Sequence, residues 1–334
     1  MTQKIFVLYT GGTIGMRSGS DGLRPDTDLV GKALRPFSDG LQFDWHVCEP
    51  LIDSSAVSLS HWRDWLALLA EKMPQYDGIL ILHGTDTMAY TANLLALALQ
   101  GLDKPVILTG SQWPYDASDS DAPLNLATAV AAFELALPQV LIAFNGKLYP
   151  AIGSSKVSTE TAAGFGNPHF GVLAQWQQSG GWQWLARPSE NRSQPVSDGL
   201  DILSLDIQAK VIAQTLIPGF STQYFSDGLL HTDAQAVVLQ SYGHGNASSE
   251  ATFIKAVESF TQRGGLLLNI SQVPQGCAAA VYAQGSALRQ AGVVNGGKCN
   301  LETAAALLTL AVSNRWNAET VQQKLHALGL IEAV

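Results

Sequence analysis

The chain has 334 residues, of which 46% are hydrophobic and 14% charged, and its formal net charge is −9. That length allows one large or two medium domains, and the acidic balance argues against nucleic acid or an anionic membrane surface as partner. No segment approaches the roughly 20 apolar residues of a membrane-spanning helix, and no apolar signal core follows Met1-Thr2-Gln3-Lys4.

In chain order, the first expected strand is Ile5–Leu8, followed at once by Tyr9-Thr10-Gly11-Gly12-Thr13-Ile14-Gly15. Trp62, Trp65, Leu66 and Leu69 recur at helical spacing and mark one buried helix face. Gly78–Leu82 is the second strand and runs into His83-Gly84-Thr85-Asp86-Thr87, with an apolar helix over Asp86–Leu99. Strands Val106–Leu108 and Val140–Phe144 flank a helix over Leu124–Leu137. Their near-continuous apolar character suits strands buried on both faces, and the alternation predicts a parallel sheet covered by helices. From about Gln177 the composition turns to Gln, Ser, Gly, Pro and Asn, including Pro188-Ser189-Glu190-Asn191-Arg192-Ser193-Gln194-Pro195. A linker is therefore expected over 191–205, between an N-terminal α/β domain at 1–190 and a C-terminal one at 206–334. In the second half the expected strands are Ala236–Leu239 and Leu266–Ile270, and the helices Glu250–Thr261, Leu301–Ser313 and Ala318–Leu328. The three cysteines, Cys48, Cys277 and Cys299, are odd in number and outside metal-ligand spacing. They read as free thiols of a cytoplasmic protein, with no metal implied.

Every expected strand of the first half ends in a small polar cluster: Thr10 to Thr13, His83 to Asp86, Thr109-Gly110-Ser111-Gln112, Asn145-Gly146. In open α/β sheets ligands sit beyond the carboxyl ends of the strands. Glycine also serves tight turns, and Thr85, Asp86 or Ser111 could merely cap the helices that follow. Repetition of the pattern at equivalent places favours a site for a small molecule. Neither G-x-G-x-x-G nor a Walker A pattern occurs, so a nucleotide is not expected. Threonine hydroxyls need a neighbouring base to become nucleophiles. His83 is beside the motif but reads equally well as a packed core residue, which leaves Lys156 in Gly153-Ser154-Ser155-Lys156-Val157-Ser158-Thr159. A lysine kept neutral by burial could serve.

Together these stretches resemble the bacterial-type L-asparaginase family, most closely its cytoplasmic type I branch. Thr10-Gly11-Gly12-Thr13-Ile14-Gly15 matches T-G-G-T-I, and His83-Gly84-Thr85-Asp86-Thr87-Met88 matches H-G-T-D-T-M. Thr109-Gly110-Ser111-Gln112, Ile52-Asp53-Ser54-Ser55, Asn125-Leu126 and Ser241-Tyr242-Gly243-His244-Gly245-Asn246 also fit. The resemblance implies a two-domain α/β fold, a larger N-terminal parallel-sheet domain and a smaller C-terminal one, in a homodimer or homotetramer without cofactor or metal. It implies hydrolysis of L-asparagine to L-aspartate and ammonia through an acyl-enzyme on Thr13. Thr85, Asp86 and Lys156 would form the supporting relay, with Thr85 orienting the deacylating water and Asp86 also binding the substrate's α-ammonium. Ser54, with backbone near Asp53 and Ser55, would hold the α-carboxylate. Gly12, Gly84 and Ser111 would line the substrate site, and Asn246 would contribute from a neighbouring subunit.

Two departures stand out. Leu23 occupies the place of the family's mobile-loop tyrosine, within a Gly-, Ser- and Asp-rich stretch that reads as a lid over Arg17–Asp28. Gln240 and Val273 stand where some type I members carry the arginine and cysteine of an allosteric asparagine pocket, so weak or absent activation by asparagine is expected. Two other readings stay open on these residues: a broader glutaminase-asparaginase, and a catalytically silent asparagine- or aspartate-binding sensor.

Overall fold

The computed structural model describes residues 2–19, 22–186, 199–279 and 283–332. Contacts divide the chain into two units, Met1–Ile202 and Leu203–Val334. Of the expected linker, residues 191–198 lie outside the described residues, and Asp201–Ile202 forms a short strand paired with Leu99–Gln100.

The first unit is built on an eight-stranded sheet. Its spatial order is Gly181–Trp184, Ala174–Gln177, Lys147–Pro150, Val140–Phe144, Val106–Thr109, Gly78–Leu82, Gln3–Tyr9, Leu41–Val47. The last five are mutually parallel, whereas the first three run antiparallel to their neighbours. The sheet is therefore mixed, where the apolar runs alone predict a parallel one. A short turn after Phe144, with Asn145 at φ 50° and Gly146 at φ 69°, reverses the chain into Lys147–Pro150. The four central strands Gln3–Tyr9, Gly78–Leu82, Val106–Thr109 and Val140–Phe144 are buried almost throughout, as expected of strands covered on both faces.

Leu41–Val47 has no counterpart among the sequence expectations. It is the edge strand, and Leu41, Phe43, Trp45 and Val47 alternate along it and pack against the core. The helix Leu59–Lys72 buries Trp65, Leu66 and Leu69, the face expected from their spacing. Its start is closed by a capping box in which His61 replaces the usual Glu or Gln.

The strand order positions the site. From Gln3–Tyr9 the chain moves to Leu41–Val47 on one side, then crosses to Gly78–Leu82 on the other and continues outward. This is the 2-1-3-4-5 order, whose switch point lies beside the first strand. The register aligns Tyr9 with Leu82 and Leu82 with Thr109, so these strands end at one level. Whatever follows Tyr9, Leu82 and Thr109 is thereby brought to one rim.

The second unit has four parallel strands, Val211–Thr215, Ala236–Ser241, Leu266–Ser271 and Val294–Asn295, in sequential order and hence without a reversal. A separate core includes Val237, Leu239, Phe253, Val257, Phe260 and Leu267. The helix Leu301–Ser313 has the expected ends, capped by Asn300 accepting from the Thr303 N–H at 3.1 Å. No helix among the described residues is long and apolar enough to cross a membrane.

Candidate active site

Three loops meet at the switch point because two glycines lack side chains. Gly11 and Gly12 have φ of 134° and 95°, backbone that L side chains rarely adopt. A Cβ on Gly12 would lie 2.5 Å from the Gly84 Cα, and one on Gly84 would lie 2.6 Å from Ser54 Oγ. The loops 10–15, 83–87 and 52–56 are thus in backbone contact. Thr13 follows one glycine of this pair and Thr85 follows the other. Further bonds fix the contact: the Ile52 N–H donates to Thr10 O at 2.8 Å, Thr10 Oγ1 donates to Leu82 O at 3.0 Å, and Thr87 Oγ1 donates to Ser54 O at 2.7 Å. Gly12→Ala is therefore expected to lower stability by about 2 kcal/mol or more, through strain and collision together. Urea unfolding checks this, and an unchanged midpoint would contradict the close approach.

Thr13 begins a single 3₁₀ turn, Thr13–Gly15. It is half-buried, and no described residue hydrogen-bonds its hydroxyl. Thr85 is 9% exposed, and its Oγ1 accepts from Lys156 Nζ at 2.8 Å. Lys156 Nζ also donates to Asp86 Oδ1 at 2.7 Å, forming an ion pair in which the lysine side chain is 16% exposed and the aspartate 59%. Nζ therefore meets a carboxylate, so Lys156 stands in an ion pair with Asp86 where the residues alone suggest a lysine kept neutral by burial. Lys156 is delivered by a ribbon, Ser155–Lys156 paired antiparallel with Phe165–Gly166. Asn93, buried on the helix that follows the second motif, steadies this ribbon through the Ser154 carbonyl at 3.3 Å and the Gly153 N–H at 3.3 Å.

The other expected site residues are placed as follows. Ser54 is buried with its hydroxyl against Gly84. The Asp53 carboxylate accepts from the Ser55 N–H and Ser55 Oγ, both at 2.9 Å, which holds it below the usual carboxylate range and commits it to shaping its own turn. Ser111 is buried and donates to Trp113 O at 2.5 Å, so its proton is spent inside its own loop. Asn246 belongs to the second unit, where its backbone closes a turn with Tyr242. The expected lid is a hairpin, Met16–Gly19 with Gly22–Pro25, anchored by Arg17 to Asp26 at 3.2 Å and to Asp116 at 3.7 Å. Leu23 pairs with Ser18 in this hairpin, and its side chain lies outside the described residues.

His83 is a structural residue. His83 Nδ1 lies 2.7 Å from Gly84 O, which can only accept, so Nδ1 carries a proton. Burial favours the neutral ring, whose Nε2 then accepts from Thr91 Oγ1 at 2.9 Å, while Thr91 Oγ1 itself accepts from Trp62 Nε1 at 2.9 Å. Because the carbonyl and the next N–H of a trans peptide point opposite ways, the inward Gly84 carbonyl turns the Thr85 N–H away from His83. Burial pushes the His83 pKa down to about 4, partly opposed by the Gly84 bond. Between that value and the ordinary 6.5 the unfolded chain binds the proton and the native one does not. Stability is thus intact above pH 6.5 and falls by about 3 kcal/mol as pH drops to 4. Denaturant unfolding across this range should show the loss, and His83→Gln should remove that part of the slope; an unchanged slope would contradict a neutral buried histidine.

Residues without an assigned role in the sequence reading complete the rim. Asp121 is buried and accepts from the Gln112 N–H (3.0 Å), the Trp113 N–H (3.1 Å) and Asn125 Nδ2 (2.9 Å). Asn125 also bonds Gly110 O at 2.9 Å and accepts from the Asn145 N–H at 2.7 Å, tying two strand ends together. The cue in the sequence is a buried-type helix start, Asp121-Ala122-Pro123-Leu124-Asn125, that carries two polar groups. Among the described residues no group of three or more His, Cys, Asp or Glu is arranged to hold a metal ion.

Comparison with known proteins adds the following. The family model described as "Asparaginase, N-terminal" matches residues 4–189, and that of the "Glutaminase/Asparaginase C-terminal domain" matches 210–325. The chain is 31% identical to L-asparaginase 1 of Escherichia coli over 97% of its length and 96% of the relative's. It resembles the crystal structure of L-asparaginase I from Vibrio cholerae with a TM-score of 0.86 and 28% identity, covering 100% of both chains. A probable cytoplasmic L-asparaginase from Campylobacter jejuni superposes with a TM-score of 0.78 at 26% identity, over 97% of this chain and 99% of that one.

Proposed function

The chain belongs to the asparaginase family, and on that premise we propose that it is an L-asparaginase that converts L-asparagine and water to L-aspartate and ammonia through an ester on Thr13. In the first half-reaction Thr13 Oγ1 bonds to the side-chain carbonyl carbon and the carbon–nitrogen bond breaks. The hydroxyl proton leaves with the nitrogen as ammonia. In the second half-reaction water adds to the ester carbon, the bond to Thr13 breaks, and one water proton returns to the Thr13 oxygen. Splitting the hydrolysis in this way replaces direct attack by water on an amide with two easier steps.

One observation carries the reading: the Gly12–Gly84 contact joins the loops that carry Thr13 and Thr85 at the switch point, and Thr85 is bonded to a lysine. Thr13, with a hydroxyl that no described residue engages, is the nucleophile. Thr85 orients the deacylating water, and Lys156 holds Thr85 and balances Asp86. Asp86, more than half exposed, receives the substrate's α-ammonium. Ser54 and the backbone of Asp53 and Ser55 hold the α-carboxylate beside Gly12 and Gly84, with Ser111 shaping the wall. The Thr85 N–H, turned away from His83, and the Thr13 N–H stabilise the oxyanion, at about 3 kcal/mol each by analogy with other such donors.

The reading extends to a cytoplasmic homodimer or homotetramer with domains 1–190 and 206–334, in which Asn246 reaches a neighbouring subunit's site. Gln240 is tied to Thr215 Oγ1 at 2.7 Å and carries no charge for a second asparagine's carboxylate, so the rate should rise hyperbolically with asparagine. A sigmoidal curve would contradict this. The direct experiment is ammonia release from L-asparagine and L-glutamine side by side. Turnover of asparagine supports the reading, comparable efficiency on glutamine makes the protein a glutaminase-asparaginase, and tight binding without ammonia makes it a sensor.

A further inference from the structure

Resting on the asparaginase reading, we propose that Gln112 is a positioning residue that sets which way the Thr85 hydroxyl faces, and through it the rate of ester hydrolysis. A threonine oxygen has one proton and two lone pairs. Lys156 Nζ, which can only donate, occupies one lone pair of Thr85 at 2.8 Å. The Thr85 proton then goes to Gln112 Oε1 at 3.3 Å.

The Gln112 amide cannot serve equally well reversed. Its Nε2 donates to Ser158 O at 2.7 Å and lies 3.4 Å from Thr161 O. A flipped amide would face an oxygen to both carbonyls and an N–H to a hydroxyl that already receives Lys156. Gly164 makes room for it, since a Cβ there would come within 2.9 Å of Nε2. The Gln112 backbone N–H is pinned to the buried Asp121 carboxylate at 3.0 and 3.1 Å. The side chain is therefore held from its backbone to its amide tip.

With its proton on Gln112 and one lone pair on Lys156, Thr85 keeps a single free lone pair. That lone pair accepts an O–H from the hydrolytic water and leaves the water's own lone pair for the ester carbon. Without an acceptor at position 112 the Thr85 O–H is free to turn, and it then offers the water a proton in place of a lone pair. Attack by water slows, whereas acylation, which expels ammonia before that water acts, does not.

The test is Gln112→Met, of similar reach but unable to accept the Thr85 proton well. Expected is a fall in kcat of about tenfold, the scale of one lost hydrogen bond. KM should fall by a similar factor, leaving kcat/KM within about threefold, because kcat/KM reports acylation. Rapid-quench assay should show a burst of about one ammonia per active site, ahead of slow aspartate release. Gln112→Glu, which keeps an acceptor toward Thr85, should retain more kcat than Gln112→Met. Equal losses in kcat and kcat/KM without a burst, or no loss at all, would overturn the proposal while wild-type turnover leaves the asparaginase reading standing. A wild-type protein that releases no ammonia removes that reading itself. If Gln112→Met does not fold, Gln112→Leu, which likewise offers Thr85 no acceptor, takes its place: a matched fall in kcat and KM with a burst supports the proposal, and equal losses in kcat and kcat/KM or no loss overturn it.

Discussion

Replacing Thr13 by alanine is expected to lower asparagine turnover by on the order of 10⁴-fold or more, with little change in stability. Thr13 is half-buried in a one-turn helix at the rim, and no described residue depends on its hydroxyl. Removing that hydroxyl deletes the atom that would carry the ester and disturbs little else. Substrate binding should persist, because the proposed contacts to the α-ammonium and α-carboxylate come from Asp86 and Ser54. Isothermal titration with L-aspartate separates the two quantities. Retained ammonia release would move the nucleophile elsewhere, with Thr85 the first residue to examine.

Lys156→Met is expected to cost about 10- to 10²-fold in kcat, the scale of a lost hydrogen bond from a charged donor. The variant retains the length of the side chain and loses both of its bonds, 2.8 Å to Thr85 and 2.7 Å to Asp86. Thr85 loses its fixed donor, and the proposed α-ammonium site loses the cation that balances Asp86. The second effect favours a positively charged ligand, so KM for asparagine should not rise as kcat falls. Stability should change by less than about 1 kcal/mol, since the ion pair is formed by a carboxylate more than half exposed. Steady-state kinetics and urea unfolding check the two parts together. A kcat within threefold of wild type would exclude Lys156 from the relay.

Much of this architecture is legible because it is written in local apolar pattern. The strands Gly78–Leu82 and Val140–Phe144 and the helix Leu301–Ser313 have the ends the sequence suggests. Leu41–Val47 escapes notice although Leu41, Phe43, Trp45 and Val47 alternate: the polar residues between them dilute the apolar run, as befits an edge strand. The antiparallel strands Lys147–Pro150, Ala174–Gln177 and Gly181–Trp184 are short, the last two also partly exposed, and only their pairing partners identify them.

The site divides in the same way. Thr13, Thr85, Asp86 and Lys156 sit in short motifs rich in unusual residues. Gln112 and Asp121 act through bonds that span the chain, Gln112 to Ser158 and Thr85, Asp121 to Asn125 and the 112–113 backbone. Such partners become visible only when the strands are in register. Ser111 stands out in the sequence as a hydroxyl at a strand end, and its proton is turned to Trp113 instead.

The central claim is that Thr13 carries the acyl group, and mass spectrometry of the acid-quenched enzyme tests it most directly. A Thr85→Val variant, slowed in deacylation, would be mixed with L-asparagine, quenched and digested. The peptide containing Thr13 should gain the mass of one aspartyl group, fragmentation should place it on Thr13, and Thr13→Ala in the same background should abolish it. An aspartyl adduct on any other residue, or steady ammonia release with no adduct at all, would contradict the account.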